Sequence, residues 1–143
     1  MIIIYKLKNG NTGYLLQCDT SRSLDQIAQK DLPRNPDGSL PDYVTANDGV
    51  LPDLYFVDAV DIDGKKASIN LEKAKEVQRN VWRNLRTQKL ASLDLESLKS
   101  LEAGDAVKLA DISSKKQSLR DVTKLPLPDT LEEIKATLPA ILA

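Results

Sequence analysis

The stretch NLEKAKEVQRNVWRNLRTQKLASLDLESLKSLEAGDAVKLADISSKKQSLRDV (Asn70–Val122) decides the fold. Leu71, Ala74, Val77, Val81 and Leu85 recur at three- and four-residue steps, the period of an amphipathic helix. Asn70 suits the N-cap, and Glu72 lies close to the positive helix end. Gly104 stands where a helix-ending glycine belongs, and Asp105 can cap the helix that follows. Leu109, Ile112, Leu119 and Val122 keep helical spacing to the end. The reading is a long helix, a sharp reversal and a second helix folded back on the first. Asp94 offers a further cap, which would set LESLKSLEA apart as a short helix of its own.

Working outward, Lys124-Leu-Pro-Leu-Pro128 stops the second helix. Asp129-Thr-Leu-Glu132 has the pattern of a cap for a short closing helix, which Pro139 ends. Upstream, Ile2–Leu7 and Tyr14–Cys18 read as strands joined through Asn9-Gly10, a pair that supplies the positive φ of a tight reversal. Ser23–Gln29 reads as two helical turns capped by Ser21 or Ser23. Residues 33–53 hold four of seven prolines and two of six glycines. That composition makes a long loop with at most a short strand at Tyr43–Thr45, and loops of this length are commonly functional or ordered by a partner. Leu54–Ile62 is the most strand-like stretch in the chain, and Asp63-Gly64 turns it back onto Ala67–Ile69.

The expected fold is α+β: a small antiparallel β module over 1–69 with the Pro/Asp loop at 33–53, then a helical hairpin and closing helix over 70–143. The charges change at the same place. The ten acids of 1–69 are all Asp, whereas Glu appears only from residue 72. Short Asp side chains suit turns and caps. Residues 70–93 carry six bases against two acids, although the whole chain is only −1.

Several chemistries lack their residues. With no histidine and one cysteine, Cys18, there is no internal disulfide, Cys/His zinc site or histidine-based catalysis. Cys18 reads as a small half-buried residue ending a strand. Asp61-Ile-Asp63-Gly64 begins like a calcium loop, but lysines follow where oxygen ligands should, so a hairpin turn is the better reading. No phosphate-binding glycine loop is present. The expectation is a non-enzyme with no cofactor and no metal. The apolar run opening MIIIYKLKNG is too short for a signal peptide or a membrane span.

Lys75, Arg79, Arg83 and Arg86 share one helix face, with Trp82 beside them. Such a stripe suits phosphates or an acidic protein surface. The near-neutral net charge favours protein. These five are the candidate partner-binding residues, with a plain core role as the alternative for Trp82.

Four elements carry a resemblance: the arginines 79, 83 and 86; Leu90-Ala-Ser-Leu-Asp94; Leu101-Glu-Ala-Gly-Asp105; and Lys116-Gln-Ser-Leu-Arg-Asp121. Together they resemble the helical region of small tailed-bacteriophage proteins encoded among tail and tail-fibre genes, including the tail assembly chaperone-like proteins. The likeness covers residues 70–135 well and the front module loosely. It implies a structural part of the virion in the tail, baseplate or fibre-attachment region, made in the bacterial host cytoplasm. Its partners would be other tail proteins or further copies of itself, with no membrane. A transient tail or fibre assembly chaperone, absent from the finished particle, is the alternative. Arg120 and Asp121 are expected to cap or bridge within the hairpin.

Overall fold

A computed structural model describes residues 1–46, 54–64 and 66–143. The fold is α+β, with a small antiparallel sheet in the N-terminal part of the chain followed by long helices. In chain order it has β1 (Ile2–Lys6), β2 (Thr12–Leu16), α1 (Leu24–Asp31), β3 (Asp42–Ala46), a 3₁₀ segment (Leu54–Ala59), β4 (Val60–Asp63) and β5 (Lys66–Ile69). Then come α2 (Leu71–Glu102), α3 (Ala106–Asp121), a 3₁₀ turn (Val122–Lys124), α4 (Leu131–Ala136) and a final 3₁₀ turn (Ala140–Leu142). The chain divides into two compact units, Met1–Ala74 and Lys75–Ala143. The change in composition lies at 69/70; the first unit also takes in the opening turn of α2.

In the first unit β1 is the middle strand of the order β2-β1-β3, antiparallel to both neighbours. A central strand covered on both faces needs apolar residues at successive positions rather than alternate ones, which accounts for Ile2-Ile3-Ile4. Ile2 and Ile4 pack with Val44 and Val60 beneath the β4–β5 hairpin. Ile3 faces the other way, against Ile27 and Ala28 of α1 and Leu32 at its C-cap. The β1–β2 turn uses Gly10 at φ 91°, and the Asn9 side chain accepts from the Asn11 amide at 3.0 Å. Helix α1 opens with a reciprocal capping box between Ser23 and Gln26.

Three local expectations are corrected here. The second strand starts two residues earlier, because Lys6 pairs with Thr12 and Ile2 with Leu16. Cys18 therefore falls beyond the sheet and is exposed rather than half-buried. Leu54–Ala59 coils into a 3₁₀ segment, and only Val60–Asp63 is strand. An apolar run alone does not separate a strand from a buried helical turn. Asp58 and Ala59 are weak strand formers, and coiling brings Phe56, Ala59 and Val60 all into the interior.

Of the long loop, residues 47–53 lie outside the described residues. The part before β3 is held by this chain itself through Asn35, which is buried. Its Oδ1 accepts from the Lys8 amide at 2.9 Å, and its Nδ2 donates to Ser39 Oγ and the Leu40 carbonyl, each at 3.0 Å.

In the second unit the bulk of α2, α3 and the C-terminal segment enclose a core of Trp82, Leu119, Val122, Leu127 and Leu142, flanked by Leu85, Leu90, Leu93 and Ile141. Asn70 caps α2 as expected, its Oδ1 accepting from the amides of Glu72 and Lys73 at 3.1 and 3.2 Å. Gly104, at φ 69°, closes α2, and Asp105 caps α3 by accepting from the Lys108 amide at 2.9 Å.

Asp94 caps nothing: α2 runs through it without a break. No Gly or Pro interrupts 85–103, and extending a formed helix is favoured over ending and renucleating it. The Asp94 carboxylate instead pairs across the hairpin with Lys116 at 2.7 Å. The cap of α4 is Thr130, not Asp129. Asp121 does not bridge the hairpin either; it accepts from Gln117 and Lys124 along its own segment.

Candidate interaction surface

The basic stripe on α2 is largely folded back onto its own unit. Lys75 donates to Asp129 at 2.7 Å. Glu76 draws in Arg83 at 2.5 Å and Arg79 at 3.6 Å, and Arg83 also reaches Asn80. The Arg83 guanidinium, with smaller help from Arg79, holds the Glu76 carboxyl below its ordinary range. Arg86 donates to the Arg120 carbonyl at 3.4 Å, stitching α2 to the last turn of α3. The four bases thus share a face, as their spacing requires, and each has a partner within the unit.

Trp82 is not at the surface. It is 0% exposed, and its indole Nε1 donates to the Thr137 carbonyl at 3.1 Å. Gln78 Nε2 donates to the same oxygen at 2.8 Å. Of the two roles open to Trp82 from sequence, the structure gives it the core one. A buried indole keeps its N–H only where an acceptor is within reach, and the end of α4 supplies one.

Asp61 is also structural. Its carboxylate accepts from Lys6 of β1 at 2.9 Å, from Asn70 Nδ2 at 3.1 Å and from Lys73 of α2. These donors, Lys73 first, hold its carboxyl well below the usual carboxylate range, and the same contact raises Lys6. Asp63-Gly64 forms the β4–β5 turn, with Gly64 at φ 59°. Among the described residues no three His, Cys, Asp or Glu side chains are grouped to hold a metal ion. None of the described helices is long and apolar enough to cross a membrane.

The features that sequence reasoning missed lie toward the far end of the hairpin. Leu95, Leu98 and Leu101 are 55%, 60% and 64% exposed, and Val107 at the start of α3 is 83% exposed. The inner side of α2 at this level presents Ser97 and buried Ser100 rather than large apolar residues. The signal was present in LESLKSLEA as leucines every third residue, but the same spacing also describes a buried seam. On α2 and α3 the second unit also has a groove of about 430 Å³ lined by Lys89, Ser92, Leu93, Lys115, Leu119 and Ile141. Its floor is apolar, with a lysine from each helix at the rim. The first unit has a more polar cleft of about 730 Å³ between α1 and β3, with Asp25, Gln29, Asp42, Tyr43 and Gly64 among its walls. Tyr43 donates to Asp25 there at 3.2 Å.

Comparison with protein-family models, with curated proteins and with solved structures finds no match.

Proposed function

We propose that this chain is a non-enzymatic structural component of a tailed-bacteriophage virion, in the tail, baseplate or fibre-attachment region, and that it acts by binding other proteins. The observation that supports a binding role is the row of exposed leucines at 95, 98 and 101. Monomeric soluble proteins seldom expose contiguous apolar patches larger than a few hundred Å², and clustered exposed leucines are the kind of surface that contact sites use. The phage-tail setting rests on the resemblance of residues 70–135. The basic residues of α2 contribute to holding the second unit together, and the contact surface moves to the distal hairpin.

The test is mass spectrometry of purified, salt-washed particles of the phage that encodes the chain. The proposal expects the chain at a fixed stoichiometry to the tail proteins. A chain abundant in infected-cell lysate and absent from particles would sink it in favour of a transient tail or fibre assembly chaperone. A gene found in no phage or prophage would remove both readings.

A further inference from the structure

The hydrogen-bond parity of the first unit's sheet leaves one strand edge open. The Leu7 amide donates to the Asn11 carbonyl and the Gln17 amide to the Met1 carbonyl, so Leu7–Asn11 and Met1–Gln17 are bonded pairs. Bonded and non-bonded pairs alternate along an antiparallel ladder. The odd residues of β1 therefore bond to β2. Its even residues, Ile2, Ile4 and Lys6, bond to β3 at Ala46, Val44 and Asp42. Tyr43 and Thr45 stand between those pairs, with their N–H and C=O groups turned away from β1. β3 is the last strand of its sheet, and among the described residues nothing bonds to these four groups.

The cleft of about 730 Å³ runs along that edge. Tyr43 belongs to the sheet face packed on α1, where Asp25 and Gln29 line the cleft. Val44 belongs to the face packed on Val60, and Gly64 of the β4–β5 turn lines the cleft on that side. Asp42, two residues before Val44, shares its face. The space between these walls suits one more strand, with its backbone in the plane of the sheet and its side chains alternating to either side. The five residues of β3 offer about 17 Å of edge.

Charge narrows the occupant. Among the described residues lining the cleft there are two carboxylates, Asp25 and Asp42, and no Lys or Arg. Of the nearby bases, Lys6 is bonded to Asp61 at 2.9 Å and Lys66 stands opposite Asp63 in the β4–β5 ladder. Lys30 follows Asp25 by five residues, about 140° round α1. Asp25 accepts from the Tyr43 hydroxyl, a neutral donor that leaves its charge in place.

We propose that the outer edge of β3 binds an extended, basic peptide segment of another protein, which joins the sheet as a fourth strand. The main-chain groups of Tyr43 and Thr45 hold its backbone, and the two walls select alternate side chains. A Lys or Arg turned toward α1 meets Asp25, and one at the next position meets Asp42. A second copy of this chain fits less well, because its own β3 would bring another Asp25 and Asp42 to the same cleft. The proposal rests on the first unit alone, so it and the virion reading stand or fall separately.

The experiment titrates the isotope-labelled full chain with a synthetic peptide of strand length, about seven residues. The peptide has Lys at two adjacent central positions among Val and Thr, and it is taken to about 1 mM, where even weak binding registers. A second peptide carries Glu in place of Lys. Amide spectra locate the site, and hydrogen exchange reads the backbone bonds. The lysine peptide is expected to shift the Tyr43 and Thr45 amides and slow their exchange about tenfold, and the glutamate peptide to bind about tenfold more weakly. Thr45→Pro deletes an outward donor and spares the ladder to β1, a position where edge strands tolerate proline. Asp42→Lys reverses the charge of one wall. Each variant, verified as folded by circular dichroism, is expected to weaken binding of the lysine peptide about tenfold. No binding, shifts confined to other residues, equal affinity for the two peptides, or variants that bind like the wild type would each overturn the proposal. Slow exchange of the Tyr43 and Thr45 amides in the free chain overturns it too, since the edge would then be covered already. Shifts of these amides with the chain's own concentration would give the edge to a second copy instead.

Discussion

The indole of Trp82 and the carbonyl of Thr137 meet at 3.1 Å, although 55 residues separate them in the chain. The bond joins the second turn of the hairpin's long helix, within this unit, to the end of α4, and it lies in the interior. Trp82→Phe removes the donor and part of the packed volume. Gln78 remains on the same oxygen, so the carbonyl keeps one partner. The expected cost is about 1–3 kcal/mol of stability, combining a lost buried hydrogen bond with a small cavity. Urea unfolding followed by circular dichroism measures it; an unchanged midpoint would place the weight of this core elsewhere.

Asp61 makes stability depend on acid in a stated direction. Its folded-state pKa is lowered by Lys73, Lys6 and Asn70. A group lowered on folding contributes stability that is present above its unfolded pKa and lost as pH falls toward the folded one. The melting temperature of the wild type should therefore exceed that of Asp61→Asn at neutral pH. The gap should narrow as pH drops below about 4, where the unfolded carboxyl takes up its proton. A gap that is constant from pH 7 to pH 2 would refute the role given to this carboxylate.

Asn35 satisfies three backbone and side-chain groups from a buried position. Asn35→Ala leaves the Lys8 amide and the Leu40 carbonyl without it. The expected loss is about 1–3 kcal/mol, accompanied by faster exchange of the Lys8 amide, which donates to the Asn35 side chain. Exchange that is unchanged in this segment would show that the turn holds itself.

Gly104 sits at φ 69° with open space around the position a Cβ would occupy. Gly104→Ala is thus strained by backbone conformation and not by a clash, at a cost of about 1 kcal/mol. Gly104→Asn should cost less, because Asn tolerates the left-handed region better than Ala. Equal losses for the two variants, read from thermal unfolding, would contradict that account.

What was legible in the sequence was local. Asn70, Asp105 and Ser23 accept from amides within three residues of themselves, and Gly104 supplies a positive φ where its own helix ends, so residue type and spacing suffice to place helix ends. The α+β order followed from the same signals. The candidate site was less legible, because its character depends on distant partners. Whether Trp82 faces solvent is decided by Thr137, and whether Asp94 ends a helix is decided partly by Lys116 on another helix. Leu54–Ala59 has strand-like composition, yet its coiling is set by where Phe56 and Val60 find cover. Leucines at 95, 98 and 101 read alike whether buried or bare, and only the small residues on the opposite side of α2 separate the two.

The position of β1 in the middle of its sheet also orders events in time. Its pairing with Thr12–Leu16 closes a short loop, but its other edge waits for Asp42–Ala46 and its covered face for Val60. The α2–α3 reversal, by contrast, needs only Ala103 to Asp105 between its helices. Contacts between distant segments form more slowly than local ones. As the chain leaves the ribosome, Ile2 and Ile4 emerge ahead of Val60 and stay bare until about sixty more residues have followed, whereas Ile3 is covered once α1 has formed. During synthesis one face of the strand that ends up most completely enclosed therefore waits for distant partners, and the helical hairpin, made after it, has the shorter search.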